Sequence, residues 1–266
     1  MKQTPVVLIH GAWFHRSSWE GWAERFTAHG YAVSVPGWPG EAATAGRVRH
    51  DPGPLRDLGL AALTAHYETV VRSFDDPPVL IGHSAGGLIA QHLLGADLGR
   101  AAVALAPLPA GPAPRPGFER PSAGPAGHPG FEALSPARFR HVVANAVGEE
   151  EAARLFDRYA VPAPLRLLAD LGLDRPGAGT AAAVVDPADA GRGPLLLVSG
   201  QEDRIVPDAV TRSVYKLYGD SRAVTDLKQF VDRGHSLVFD SGWRAVADHV
   251  LGWLAGNGVA APTPPR

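Results

Sequence analysis

Residues 79–87 read VLIGHSAGG, and this stretch decides the interpretation of the whole chain. A short apolar run leads to Ser84, which has a glycine two positions to either side, and a helical pattern begins at once. Strand, G-x-S-x-G turn and helix in this order are typical of a nucleophile elbow, in which a serine projects from a tight turn above a sheet. The G-x-S-x-G pattern alone also arises by chance in turns rich in glycine and serine. The flanking strand and helix favour the elbow, so we predict that Ser84 is a catalytic nucleophile.

Apolar runs of the same kind recur along the chain, and most are followed by helical patterns. The predicted strands are residues 6–9, 31–35, 79–81, 101–105, 195–198 and 224–230. Continuous apolar strands that alternate with helices indicate a parallel sheet covered on both faces, and right-handed crossovers then produce a doubly wound fold. The predicted fold class is therefore α/β, with a doubly wound and mostly parallel sheet.

Two segments interrupt this alternation. Residues 36–54 are rich in glycine and proline and are predicted to form a long loop. Residues 107–193 contain no convincing strand, but they offer helical patterns at 136–147, 149–159 and 164–171. A structureless loop of such length is unusual in a compact domain, so we expect an inserted helical cap.

The predicted domain organisation follows from these boundaries. Residues 1–107 and 193–255 are expected to form the α/β core, and residues 108–192 are expected to form the helical cap or lid. Residues 256–266 contain three prolines near the end and are expected to be a disordered tail.

Composition excludes several classes of protein. The 266 residues include no cysteine, which rules out disulfides, thiolate catalysis and cysteine-bound zinc. A formal net charge of −2 favours neither nucleic acid nor an anionic membrane as a partner. The apolar run at residues 6–9 is too short for a secretory signal, and no run approaches the roughly 20 residues of a membrane span. We therefore expect a soluble cytoplasmic protein, monomeric or homodimeric, whose partner is a small-molecule substrate.

A serine nucleophile needs a general base, and His235 is the best candidate among eleven histidines. It follows the last predicted strand, and loops at the carboxyl ends of parallel strands converge on one crevice. The base in turn needs an acid that orients its ring. Asp203, in the loop after the fifth strand, is the predicted acid, with Glu202 and Asp208 as alternatives. The order serine, aspartate, histidine along the chain is the order that accompanies a nucleophile elbow.

Acyl transfer also needs amides that stabilise an oxyanion. Ala85, the residue after Ser84, is predicted to supply one amide, and Ala12 in the loop after the first strand the other. Gly11 allows the backbone of that loop to turn sharply. His10 is a candidate second base, although packing and local hydrogen bonding that shape the loop are favoured for it.

With these residues assembled, the chain resembles the α/β-hydrolase superfamily over nearly its whole length. The resemblance rests on four motifs in the expected order: the His10-Gly11 loop, the GHSAG elbow, GQEDRIVP at 200–207 and RGHSL at 233–237. The opening VLIHGAW at 7–13 is most similar to the branch that contains small esterases, methylesterases and hydroxynitrile lyases. The resemblance implies an α/β-hydrolase fold with a substrate pocket between cap and sheet.

Departures from some relatives narrow the expected chemistry. Haloalkane dehalogenases and epoxide hydrolases use an aspartate nucleophile, and Ser84 argues against both. Plant hydroxynitrile lyases carry a threonine and a lysine where this chain has Gly11 and Ser236, so a lyase of that kind is disfavoured. Cofactorless haloperoxidases share the triad and stay open as an alternative.

The function predicted from the sequence is hydrolysis of a carboxylic ester, thioester or lactone of a small, largely apolar substrate. It proceeds through an acyl-enzyme on Ser84 and needs no metal and no cofactor. One alternative is an acyltransferase or lyase that acts on a biosynthetic intermediate with the same triad. Another is a non-catalytic receptor or scaffold that binds a ligand, because a fold does not determine function. Residues predicted as possible pocket walls, or alternatively as internal packing, are Trp13, His83, Phe131, Phe139, Phe156 and Tyr159.

Overall fold

The computed structural model describes residues 3–109, 128–173, 186–189 and 191–259 of the chain. The strands of these residues are β1 (Pro5–Ile9), β2 (Ala32–Ser34), β3 (Val79–His83), β4 (Ala101–Leu105), β5 (Phe131–Glu132), β6 (Ala163–Pro164), β7 (Leu195–Gly200) and β8 (Thr225–Phe230). Their α-helices are α1 (Glu20–Ala28), α2 (Ala45–His50), α3 (Leu60–Arg72), α4 (Ala85–Gly95), α5 (Pro136–Val142), α6 (Glu149–Tyr159), α7 (Leu165–Asp170), α8 (Asp208–Leu217) and α9 (Trp243–Gly256).

A parallel sheet of six strands forms the centre of the structure. Its strands follow the order β2-β1-β3-β4-β7-β8, and each neighbouring pair is parallel. The inner strands β1, β3, β4 and β7 are buried along their whole length, whereas the edge strands β2 and β8 are partly exposed. Burial on both faces explains why the inner strands read as continuous apolar runs. The predicted α/β fold with a mostly parallel sheet is confirmed.

Helices pack against this sheet through their apolar residues. α4 contacts β1, β3 and β4, α8 contacts β7 and β8, and α1 contacts β2 and α9. Nine of the eleven residues of α4 are buried, as expected for a helix that is apolar on all sides. The start of α4, directly after Ser84, is therefore held at the centre of the sheet. None of the described helices combines the length and the apolar character that crossing a membrane requires.

The segment predicted as one long loop, residues 36–54, contains a helix. α2 begins after Thr44, whose hydroxyl accepts a hydrogen bond from the amide of Arg47. A short 3-10 turn follows at Gly53–Leu55. The prediction of a continuous loop is therefore wrong, because the 6 residues of α2 are too few to produce a clear periodic pattern.

The described part of the predicted cap contains α5, α6 and α7, and also a short ladder. β5 and β6 pair antiparallel with 2 residues each, so the expectation of no strand in this segment is wrong. The helix predicted at 136–147 ends at Val142, and the carbonyl of Val143 instead accepts a hydrogen bond from the amide of Ser236, at 3.0 Å. Residues 110–127, 174–185 and 190 lie outside the described residues.

The first residues of the expected tail are packed against the core. α9 extends to Gly256, and the hydroxyl of Tyr31 donates a hydrogen bond to the carbonyl of Val259, at 3.1 Å. Val259 is buried, so residues 256–259 do not form the disordered tail predicted for them. Residues 260–266 lie outside the described residues.

Candidate active site

Ser84 lies between β3 and α4 in a strained backbone conformation. Its φ of 56° and ψ of −116° fall outside the regions that residues with a side chain ordinarily adopt. Hydrogen bonds on both sides impose this conformation: the amide of Ser84 donates to the carbonyl of Leu105 at 2.9 Å, and its carbonyl accepts from the amide of Leu108 at 3.2 Å. The predicted elbow geometry is therefore present in the backbone.

Two glycines of the G-x-S-x-G motif are required by close packing. A Cβ atom on Gly82 would overlap the carbonyl oxygen of Gly86, and a Cβ atom on Gly86 would overlap the carbonyl oxygen of Ile9. These neighbours are backbone atoms that cannot rotate away. The motif thus lets the start of α4 press against the end of β1 and hold Ser84 in place.

Asp203 and His235 form a buried pair. Oδ2 of Asp203 lies 2.7 Å from Nδ1 of His235, and both side chains are almost completely shielded from solvent. Oδ1 of Asp203 accepts hydrogen bonds from the amides of Ile205 and Val206, at 2.8 and 2.7 Å. The turn that follows β7 therefore holds the carboxylate in a single orientation towards the histidine.

The two alternative acids lie in other surroundings. Asp208 accepts hydrogen bonds from the hydroxyl of Ser199 at 2.6 Å and from the amide group of Gln229 at 2.8 Å, so it ties β7 and β8 to the start of α8. Glu202 is exposed to solvent. Asp203 is the one of these three candidates that contacts His235.

The histidine loop meets the elbow through His83, the residue before Ser84. The rings of His83 and His235 lie 4.6 Å apart between centroids. Burial, and then the neighbouring His235, holds the pKa of His83 well below its ordinary value, so His83 adds no positive charge here. Nε2 of His235, on the side of the ring opposite Asp203, is buried and has no hydrogen-bond partner within the described part of the chain.

The loop after β1 packs directly on the serine. A Cβ atom on Gly11 would lie 2.8 Å from Cβ of Ser84 and 3.4 Å from its Oγ. Ala12 follows in the chain and is buried. Ala85 is the first residue of α4, where amides have no partner within the helix and the helix dipole is positive. Ala85 thus directly follows Ser84, and Ala12 directly follows the glycine that packs on Ser84.

The same loop is hydrogen-bonded to the segment that the sequence predicts as the cap. The carbonyl of Trp13, a residue with a φ of 66°, accepts a hydrogen bond from the amide of Val161 at 2.9 Å. The amide of His15 donates to the carbonyl of Tyr159, also at 2.9 Å. The position of that segment and the conformation of this loop are therefore coupled.

An aromatic cluster surrounds the histidine pair. Phe14 stands at its centre, with ring centroids 5.5 Å from His83, 6.0 Å from His235 and 5.1 Å from Phe239. Tyr159 contacts Phe239 at 5.3 Å. Phe14 and Phe239 were not among the residues predicted from the sequence. Each lies on a loop that carries the site, within four residues of a motif residue.

The other predicted pocket residues are distributed around this cluster. Phe139 contacts Phe14 at 6.4 Å and Phe156 at 5.5 Å. Trp13 and Phe156 line a small cavity of about 60 Å³. Phe131 has no ring contact with the cluster among the described residues, and the guanidinium of Arg56 lies over its ring instead. In the described ranges, no group of three or more potential metal ligands is present.

A parallel sheet that carries an elbow serine, with a histidine–aspartate pair on the loops beyond it, defines the hydrolase class of α/β proteins. Residues 6–249 match the model of the alpha/beta hydrolase family, and the chain belongs to this family. The resemblance expected from the four sequence motifs is confirmed.

Solved structures with the same fold include several enzymes at low sequence identity. A methylesterase, MES16 from Arabidopsis, has a TM-score of 0.64 and 18% identity, covering 95% of this chain and 99% of its own. Methylketone synthase I from tomato has a TM-score of 0.70 and 13% identity, covering 97% and 99%. A monoacylglycerol lipase from Paleococcus ferrophilus has a TM-score of 0.68 and 19% identity, covering 97% and 100%. The search of curated proteins found no match.

Proposed function

We propose that this protein is a carboxylesterase-type serine hydrolase that cleaves a carboxylic ester, thioester or lactone through an acyl-enzyme. Ser84 is the nucleophile, His235 the general base and Asp203 the acid that orients it. The amides of Ala12 and Ala85 stabilise the oxyanion. The observation that carries the proposal is the buried pair of Asp203 and His235, whose imidazole lies beside His83, the residue that precedes a serine in a strained elbow.

The proposed reaction uses each atom of this arrangement. Asp203 accepts a hydrogen bond from the Nδ1–H of His235, so the lone pair of the imidazole is on Nε2. Nε2 takes the proton of Ser84 while Oγ attacks the substrate carbonyl, and the two amides stabilise the oxyanion that forms. The intermediate collapses to the acyl-enzyme as Nε2 protonates the leaving alcohol or thiol. Nε2 then takes a proton from water, which attacks the acyl group. When the bond between the acyl group and Oγ breaks, Nε2 returns this proton to Oγ, which releases the acid and regenerates Ser84.

The surroundings of His235 support a small and largely apolar substrate. Phe14, Phe239 and Tyr159 present aromatic carbon near the reacting groups, and all three are buried. Apolar walls with few polar groups are characteristic of sites for apolar ligands. Two of the structural relatives bear the names methylesterase and monoacylglycerol lipase, which supports an ester as the substrate.

A series of p-nitrophenyl esters, from acetate to laurate, tests the proposal. We expect the wild-type protein to hydrolyse the shorter esters and Ser84→Ala to lose several orders of magnitude in kcat. Ser213→Ala, at an exposed serine of α8, is the matched control and should retain activity. A fluorophosphonate should label the wild type but not Ser84→Ala. Hydrolysis by Ser84→Ala at the wild-type rate, or absence of labelling in the wild type, would reject this mechanism.

Acyl transfer is a second candidate, favoured by the burial of the reacting groups. Ser84 and His235 are 2% and 1% exposed, and shielding from bulk water lets an alcohol compete for the acyl-enzyme. The test is product analysis with increasing concentrations of a second alcohol. A transesterified product that outweighs the free acid would favour transfer, whereas free acid alone would favour hydrolysis.

A further inference from the structure

A buried carboxyl group lies behind the loop that packs on Ser84, and the proposed chemistry does not use it. The side chain of Glu41 is only 2% exposed. Its Oε1 is 3.3 Å from Nε2 of His10 and 3.4 Å from the amide nitrogen of Arg16. Its Oε2 is 3.8 Å from Nε of Arg16 and 3.9 Å from Nε2 of His15. Burial of a carboxyl group is costly unless partners satisfy it, so these contacts call for an explanation.

His10 connects this carboxyl group to the loop. Nδ1 of His10 donates a hydrogen bond to the carbonyl of Gly11, at 3.1 Å. The ring stacks on Trp38 with a centroid distance of 4.7 Å and an interplanar angle of 20°, which holds the plane of the imidazole. One nitrogen of His10 thus faces the loop backbone while the other faces Glu41.

The two nitrogens of the His10 ring have different surroundings. A carbonyl can only accept, so Nδ1 must carry hydrogen. Nε2 lies 3.3 Å from Oε1 of Glu41 and makes no hydrogen bond among the described residues. Burial lowers the pKa of His10 to about 4, against the opposite effect of the carbonyls of Gly11 and Phe14. Burial also raises the pKa of Glu41. Burial thus disfavours the charged form of each of the two groups.

The carbonyl that His10 holds belongs to the peptide between Gly11 and Ala12. A trans peptide is planar, so its N–H points opposite to its C=O, and no cis peptide occurs in the described residues. Fixing the carbonyl of Gly11 therefore fixes the direction of the Ala12 amide. Gly11 itself lies against Ser84. The direction of the Ala12 amide therefore decides whether its N–H can donate a hydrogen bond to the oxygen of the reacting carbonyl.

We propose that Glu41 and His10 are positioning residues that orient the Ala12 amide towards the oxyanion. Glu41 holds Nε2 of His10, and Nδ1 of His10 holds the Gly11 carbonyl. An oxyanion donor is effective when it is oriented before the reaction, with no rearrangement at the transition state. The inference rests on the proposed function of Ser84, and it assigns to His10 the structural role rather than the role of a second base.

The test is the effect of Glu41 variants on kcat and KM separately. Glu41→Leu removes the partner of Nε2, and we expect kcat to fall about 10- to 100-fold with little change in KM, because oxyanion donors act in the transition state. Affinity for a boronic acid that mimics the tetrahedral intermediate should fall in parallel. Glu41→Gln retains a polar group of similar size and should restore most of the lost kcat.

Thr211→Val is the matched control. The hydroxyl of Thr211 is fully buried in α8 and has no hydrogen-bond partner among the described residues. The change to valine therefore also replaces a buried polar group by an apolar one. Folding of each variant is checked by circular dichroism and thermal melting. Should Glu41→Leu fail to fold, His10→Phe makes the same test, because it removes both nitrogens and retains an aromatic ring against Trp38.

The outcomes separate this inference from the proposed function. An active wild type together with wild-type kcat in Glu41→Leu or His10→Phe overturns the positioning role alone. An equal loss in Glu41→Gln and Glu41→Leu also overturns it, because the polar contact with Nε2 of His10 would then not matter. A wild type that neither hydrolyses esters nor reacts with a fluorophosphonate overturns the proposed function, and the positioning role with it.

Discussion

Asp203→Asn replaces one carboxylate oxygen by an NH2 group and leaves the size of the side chain almost unchanged. In the structure, Oδ1 accepts hydrogen bonds from the amides of Ile205 and Val206, while Oδ2 faces Nδ1 of His235 at 2.7 Å. Because the two amides can only donate, the asparagine must keep its oxygen towards them and turn its NH2 group towards His235.

This orientation reverses the hydrogen bonding of the imidazole. Nδ1 of His235 must then accept, the ring proton moves to Nε2, and Nε2 can no longer take the proton of Ser84. We expect kcat for p-nitrophenyl esters to fall about 10⁴-fold with the fold retained, which is the size of effect known for a triad histidine held in the wrong tautomer.

Asp208→Asn is the matched control, since it makes the same chemical change five residues away. Its remaining oxygen can still accept hydrogen bonds from Ser199 and Gln229, so we expect the kcat of this variant to stay close to that of the wild type. A kcat of Asp203→Asn within about tenfold of the wild type, or an equal loss in Asp208→Asn, would refute the role of Asp203.

Three further changes test other contacts of the site. Gly86→Ala places a methyl group against the carbonyl oxygen of Ile9, and we expect a loss of about 2–4 kcal/mol in the free energy of unfolding; unchanged thermal stability would contradict this packing. Burial and the neighbouring His235 hold the pKa of His83 well below 6.5, so the unfolded chain gains a proton that the folded chain does not, and stability present above that pH is lost in acid. His83→Phe removes this loss. The free energy of unfolding of the wild type, measured in urea, should therefore fall relative to that of the variant by up to about 1.4 kcal/mol per pH unit below about pH 6. A difference between the two proteins that does not change with pH would count against this prediction. Phe14→Leu removes the ring 6.0 Å from His235 and should shift the preferred ester towards longer acyl chains; an unchanged chain-length profile would show that Phe14 does not border the acyl group.

Local patterns in the sequence predicted most of the central sheet. All six predicted strands are present, and β4 has its predicted bounds. Buried parallel strands are continuous apolar runs, a signal contained within a few neighbouring residues. The elbow is local only in part: a Cβ atom on Gly82 would meet Gly86 of the same turn, whereas a Cβ atom on Gly86 would meet Ile9 of β1.

Other parts of the structure have no such local signal in the sequence. α2 is too short for a periodic pattern, and α5 ends where Val143 bonds to Ser236 across the chain. Phe14 and Phe239 belong to no motif, and their place beside the histidine pair depends on loops from opposite ends of the chain. The sequence alone also left three carboxyl groups as candidate acids within seven positions of one another.

The sequence by itself determined the class of fold and the candidate serine, since apolar runs and a tight turn are specified by residues that are neighbours along the chain. Only the tertiary structure decided that Asp203 faces His235, that Phe14 stands beside them, and that Glu41 lies against His10. The physical reason is that these contacts join segments far apart in the chain. Their distances depend on how loops pack at the carboxyl ends of the strands, and no local pattern contains that information.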